Sequence, residues 1–421
     1  MNRGHLPLAL LLVAVLVSAR GQTSAETETI VPPSDQVSEF NARQELVRVL
    51  WRLGKTEAAE SELRGLLQIR RNDPVLLADL ADIEAARGHF VRSRDLYQRA
   101  LTKSGNAAEL RLRYARQARS WGDFYLTEKA LRAYLRENPQ DVDAKLDLAG
   151  VLIAEQQYEA AEAEYRPLTK KPGARRRALI GLATSRLLEK DFQAVLPYAD
   201  AVLRSDPEQI EALNLRAEAL WRLHRYDEAK EDFHRLSTLS GGRLSGWIGL
   251  GRLARAQKDE TSAEGYFRRA QESDSRDIRT RYLLAGKHAP ETGFVQSVVA
   301  SRGVTVADLN TLAGLYAEDR HLDSAITVYQ AALAKDPEYF PARIGLAQAF
   351  ATAHRYGESI ELLTQLHGQF PDNAKIILSL ARVLSWSRRI DDAIRTYREL
   401  SVLNPTDTVP RKEMAQVATW R

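Results

Sequence analysis

Residues 222–236 read RLHRYDEAKEDFHRL, and the chain writes variants of this stretch twice more, as EDRHLDSAITVYQAAL from Glu318 and SRRIDDAIRTYREL from Ser387. In each, a ring or branched side chain (Tyr226, Leu322, Ile390) is followed three residues on by alanine (Ala229, Ala325, Ala393) and four further on by an aromatic (Phe233, Tyr329, Tyr397). Spacings of three and four put these side chains on one stripe of a helix. The stretch reads as an amphipathic helix whose packing partner must recur with it.

The partner is found by stepping along the chain. From Ala115, steps of about 34 residues reach Ala81 and Val47 behind it, and Ala149, Ala183, Ala217, Gly251 and Ala285 ahead. The step from Ala285 to Ala313 is shorter, at 28 residues; the register then resumes with Ala347, Ala381 and Ala415. Twelve residues after this small position stands a second one: Ala59, Ser93, Ala161, Ala229, Ala263, Ala325, Ser359 and Ala393. Four beyond that is a bulky residue: Leu63, Tyr97, Leu131, Tyr165, Phe233, Phe267, Tyr329, Leu363 or Tyr397. Many units close with proline, as at Pro139, Pro207, Pro337, Pro371 and Pro405.

Each unit is thus two helices joined by a tight turn. The small residue lets the first helix approach its partner, and the bulky one fills the space across the crossing. Proline stops the second helix, because it has no N–H to donate and clashes with the preceding turn. One pair cannot bury both of its faces, so neighbours must stack into a continuous core. Units of this length and pattern resemble a tetratricopeptide-repeat array, over nearly everything from Phe40 onward. The resemblance implies an all-α solenoid of about eleven helix pairs, coiled as a right-handed superhelix with first helices lining a concave surface. The short unit over 278–305, where Pro290 should end the first helix early and the second loses about two turns, marks a joint; the alternative is a compact irregular repeat that stacks normally. An N-terminal array over 40–305 and a C-terminal array over 306–421 are expected on its two sides. The last segment forms a capping helix that turns Met414, Ala415 and Ala418 toward the final repeat; the alternative is a fragment whose next repeat is missing.

Composition agrees with a folded chain. Of 421 residues, 44% are hydrophobic and 28% charged, and the net charge is only +4. The first 25 residues have a basic start at Arg3, an apolar run from Leu6 to Val17, and small residues that allow cleavage after Ala19 or Ala25. They read as a secretory signal peptide, the alternative being an uncleaved membrane anchor, for which the apolar run is short, followed by a polar linker over 26–39. The protein is therefore expected to be exported, to a bacterial periplasm or the periphery of the outer membrane, with no transmembrane span after cleavage. No cysteine is present, so neither disulfides nor a lipid-bearing thiol enter the account.

Motifs of catalysis are missing. There is no zinc-binding His pair, phosphate loop or nucleophile elbow, and the repeats leave no room for a catalytic domain, so neither enzyme activity nor a cofactor or metal is expected. His224, His321 and His354 are read as one repeat-equivalent turn position facing water. Asp391 and Asp392 start a second helix, where they suit the positive end of its dipole. The run KKPGARRR from Lys170 to Arg177 lacks interleaved aromatics and reads as a solvated loop and helix start, so nucleic acid is not expected.

What remains is a surface. The resemblance places the ligand groove on first-helix residues near the small position, which here are Arg116 and Arg119, then Asn214, Glu218, Trp221 and Arg222. Further along they are Arg252, Arg255, Asn310, Gln348, Arg382 and Trp386. Arginine and tryptophan are favoured anchors because they combine large contact area with donors. The family's clamp for chaperone C-termini needs a lysine where this chain has Leu112, Leu146, Ile180, Ile248, Ile344 and Leu378, so that mode is rejected. The expected function is a non-catalytic scaffold for protein or peptide partners in the cell envelope. Two alternatives are a part in exopolysaccharide export or outer-membrane assembly, whose exported repeat arrays the chain loosely resembles, and direct binding of polysaccharide through Trp221, Trp386 and the arginines.

Overall fold

The computed structural model describes residues 33–87, 89–104, 107–120, 122–286, 292–301, 303–403 and 408–420. Among them are 23 helices and no strands. The helices divide between two compact units, one ending at Leu110 and the other beginning at Arg111. The expected joint at 278–305 lies inside the second unit.

The first unit holds α1 (Pro33–Arg52), α2 (Thr56–Ile69), α3 (Pro74–Ala86), α4 (Phe90–Lys103) and the beginning of α5 (Ala107–Ser120). Its core joins Phe40 and Val47 of α1 to Leu63 and Leu66 of α2 and to Leu76, Leu80 and Ile83 of α3. Helix α1 begins at Pro33, within the stretch read as a linker. Proline suits a first helical position, since the N–H it lacks would have no partner there. The expected signal segment falls outside the described residues.

The second unit continues α5 and adds α6 (Phe124–Glu137), α7 (Val142–Ala154), α8 (Tyr158–Leu168), α9 (Pro172–Leu188), α10 (Phe192–Leu203), α11 (Ile210–Arg222) and α12 (Tyr226–Thr238). Then come α13 (Arg243–Ala256), α14 (Glu260–Ser273), α15 (Ile278–Ala285), α16 (Thr292–Val299), α17 (Val306–Glu318) and α18 (Leu322–Lys335). The unit ends with α19 (Phe340–Thr352), α20 (Tyr356–Gln369), α21 (Ala374–Trp386), α22 (Ile390–Leu403) and α23 (Val409–Ala418). Odd-numbered helices are the first of each pair. They touch one another from α7 to α9, α11 and α13, and again from α15 to α17, α19 and α21, forming a layer of their own.

The packing follows the periodic residues. Ala149, Ala183, Ala217, Ala313, Ala347 and Ala381 are fully buried, as are Ala161, Ala229, Ala263, Ala325 and Ala393 at the second small position. Where serine replaces alanine there, its hydroxyl donates to the carbonyl of the small residue opposite: Ser93 to Ala81 at 2.6 Å and Ser359 to Ala347 at 2.8 Å. Every bulky residue of the series from Leu63 to Tyr397 is buried. Glycines supply a contact that the sequence did not suggest. An added Cβ at Gly181, Gly249 or Gly345 would fall inside the ring of Tyr165, Phe233 or Tyr329, each 16 residues earlier. The ring of one second helix is thus seated on the bare backbone of the next first helix.

The turn is uniform in geometry and varied in sequence. Gln156, Lys190, His224, Lys258, Arg320, His354 and Arg388 all have φ near +60°, the left-handed conformation that closes a helix. Arg320, not His321, therefore matches His224 and His354; His321 is the next residue, preceding α18. The two equivalent histidines do not simply face water. Each Nδ1 lies beside the following tyrosine hydroxyl, at 2.6 Å for Tyr226 and 2.7 Å for Tyr356, with the rings edge to face.

In the short unit both helices are cut, α15 and α16 having 8 residues each where neighbouring helices have 13 or 14. Helix α15 ends at Gly286 with φ +54°; Pro290 lies outside the described residues. Tyr282 keeps the stack continuous, packing edge to face on Tyr316 and donating to Asp319 Oδ2. The closing helix also departs from expectation. On α23 the buried residues are Pro410 and Val417, with Glu413 and Met414 half-buried, whereas Ala415 and Ala418 are exposed. The buried stripe runs at spacings of three and four from Pro410, and small side chains alone do not mark it.

Candidate functional site

Of the twelve groove candidates, four meet. Trp221, at the end of α11, is half-buried, with the Arg222 and Arg252 guanidinium carbons 4.8 and 4.5 Å from its ring centre. Glu218, one turn earlier, accepts from Arg222 Nε at 3.0 Å and stands 3.5 Å from Arg252 Nη1. Two cations over one indole, with a single carboxylate between them, leave the cluster one positive charge in excess. Guanidinium over an aromatic face is favourable, and it holds both arginines in place.

Arg255 sits one turn after Arg252, but its guanidinium lies over the Phe267 ring at 4.8 Å and donates to the Leu283 carbonyl at 3.1 Å. It ties α13 to the short repeat. Arg119 pairs with Asp147 at 2.9 Å, and the exposed Arg116 lies near Asp141. Asn214 and Asn310 are half-buried, and Gln348 is exposed. Arg382 is committed to the closing helix, donating to both Glu413 oxygens at 3.0 and 2.6 Å. Trp386 is 49% exposed near the end of the array. The basic run is neutralised in part, since Arg176 is 3.6 Å from Asp206 and Arg177 pairs with Asp143.

Other groups went unseen in the sequence. Trp247 of α13 stacks on Tyr266 of α14 at 6.0 Å, with Arg269 over the indole at 5.0 Å. Arg216 donates to both oxygens of the buried Asp232 at 2.8 and 2.7 Å and to Asp200 at 2.8 Å, joining α10, α11 and α12. The i, i+16 spacing of Arg216 and Asp232 is the same one that joins ring to glycine. A shallow depression lined by Asp227, Lys230, Glu231, His234 and Arg235 belongs to α12 alone. Among the described residues no group of three or more His, Asp or Glu is arranged to hold a metal ion, and no helix is long and apolar enough to cross a membrane.

Glu155, just past the end of α7, is the most perturbed acid. Burial and then Glu128, with which it shares a hydrogen bond, push its carboxyl up to about 9. In the unfolded chain it would ionise near 4.5, so between these values the native state holds a proton that the unfolded state releases. Stability contributed here is full below about pH 4.5 and is lost as pH rises toward 9. Glu155→Gln keeps a donor for Glu128 without the titration. It should match wild type at pH 4 and exceed it by about 1–2 kcal/mol at pH 8 in denaturant titrations. Equal midpoints at pH 8 would show that Glu155 ionises normally.

Comparison with known proteins places the fold in a class. Two family models described as tetratricopeptide repeat match the chain, one at 122–180 and 350–412, the other at 182–236, 214–278 and 310–374. A tetratricopeptide repeat protein from Parabacteroides merdae superposes with a TM-score of 0.50 at 18% identity, covering 59% of this chain and 98% of that one. The tetratricopeptide repeat and J domain-containing co-chaperone DNJ1 of Fusarium oxysporum f. sp. lycopersici is 27% identical over 184 residues. That match takes in 44% of this chain and 32% of the fungal protein, so the chain aligns with about a third of its relative's length. The chain is a tetratricopeptide-repeat protein, an α-solenoid of stacked helix pairs.

Proposed function

We propose that the protein is a non-catalytic scaffold of the bacterial cell envelope that binds protein segments along its first-helix layer. Trp221, Arg222 and Arg252 form the anchor. One observation supports this above the others: a half-buried tryptophan with two guanidiniums over it, on the layer where first helices meet. Such residues dominate binding energy at interfaces, and the excess positive charge favours an acidic or carboxylate-bearing segment. The envelope location rests on the signal-like first 25 residues. A co-chaperone relative agrees with a role in handling other proteins.

Mild crosslinking in cells, purification of the tagged protein and mass spectrometry should recover a defined envelope partner. Trp221→Ala with Arg252→Glu should lower its yield at least about tenfold, with helicity unchanged. Equal recovery from the variant would remove the cluster from the binding surface. Retention of a polysaccharide synthase or an outer-membrane pore would favour the export role. Saturable binding of polysaccharide by the purified chain, lost in the same variant, would favour the glycan reading.

A further inference from the structure

Lys129, in the second turn of α6, and Asp372, just ahead of α21, are 243 positions apart in the chain, yet Lys129 Nζ stands 3.8 Å from Asp372 Oδ2. Both belong to the second unit. In a solenoid each pair of helices touches its neighbours, so a contact between units seven repeats apart is of another kind. It means that the second unit curves back until its early and late repeats face each other.

The groups at this contact are polar. From the early side come Tyr125, whose ring is 5.8 Å from Lys129 Nζ, together with Glu128, its partner Arg132, the helix-capping Asp123, and Glu155. On the late side, Asp372 acts on the Tyr125 hydroxyl, and Lys375 in the first turn of α21 lies near Glu155, which its raised pKa keeps uncharged. The Lys129 and Asp372 side chains are 60% and 55% exposed. Exposed ion pairs are weak and are screened by salt, whereas the apolar packing between neighbouring repeats is not. The contact can therefore part while every repeat stays folded.

We infer that Lys129 and Asp372 form an electrostatic latch, and that the second unit exchanges between a form closed at this contact and one in which it has opened. This inference is independent of the anchor at Trp221. The chain has no cysteine, so paired labels can be introduced without background. Spin labels at Arg136→Cys and Gln365→Cys, both exposed and outside the latch, report the separation of the two sides.

Pulsed electron paramagnetic resonance on the full chain should give one short distance at low salt. A longer population should rise at least about threefold in about 1 M salt, where the screening length falls to about 3 Å. Lys129→Glu should produce the same lengthening at low salt, and the exchanged pair Lys129→Asp with Asp372→Lys should reverse it. A distance that neither salt nor Lys129→Glu alters would overturn the inference. So would a lengthening that the exchanged pair fails to reverse, because the contact would then not depend on charge.

Discussion

Replacing Phe233 by alanine should destabilise the second unit by about 3–5 kcal/mol. The ring is 5% exposed and lies among Ala217, Leu220, Leu236 and Leu250, with Gly249 beneath it. The cavity would open between α12 and the two first helices that flank it, and there is no side chain on Gly249 to move in. Because solenoid stability depends on the coupling between neighbours, the loss should appear at a boundary and not within one repeat. A denaturant titration followed by tryptophan fluorescence should show a lower midpoint and the cooperative transition divided in two. A shift worth less than about 1 kcal/mol would mean that Phe233 does not bridge the repeats.

The second large effect comes from adding a single methyl group. On helix propensity alone, Gly246→Ala should stabilise α13 by about 1 kcal/mol. Its Cβ, however, would stand 2.3 Å from Ser237 N, 2.7 Å from Ser237 Cα and 2.7 Å from the Phe233 carbonyl oxygen. These are backbone atoms of α12 and cannot rotate away as a side chain would, so the helices must separate. We expect a net cost of about 3 kcal/mol, measured as a lowered midpoint with helicity retained. A neutral or stabilised variant would show that α12 and α13 stand further apart than these distances.

The repeat was legible because its signals are local. Ala217, Ala229 and Phe233 announce themselves by spacing within one unit, and burial follows directly. What escaped depends on a second segment. Gly249 is an ordinary helical glycine until Phe233 is laid across it, and Ala415 reads as one more small residue until α23 is seen to bury Val417 instead. The turn escaped for another reason. Glutamine, lysine, histidine and arginine all adopt its left-handed backbone, so no letter marks it, and His321 stands one place beyond it. The site was legible in part. Trp221, Arg222, Arg252 and Glu218 share nearby turns of neighbouring first helices, so repeat arithmetic brings them together. The same arithmetic could not show that Arg382 is already held by Glu413, which lies beyond the last repeat.

Those seven turns also bear on how the second unit responds to bending. A residue with a Cβ is strained by roughly 1–2 kcal/mol in the left-handed region, and it stays there only because the helices on both sides hold it. The same strain recurs at Gln156, Lys190, His224, Lys258, Arg320, His354 and Arg388. None of these joints is softer than the next by virtue of its backbone. A displacement imposed at one end therefore meets seven joints of like backbone, and among these seven none is marked out to yield first.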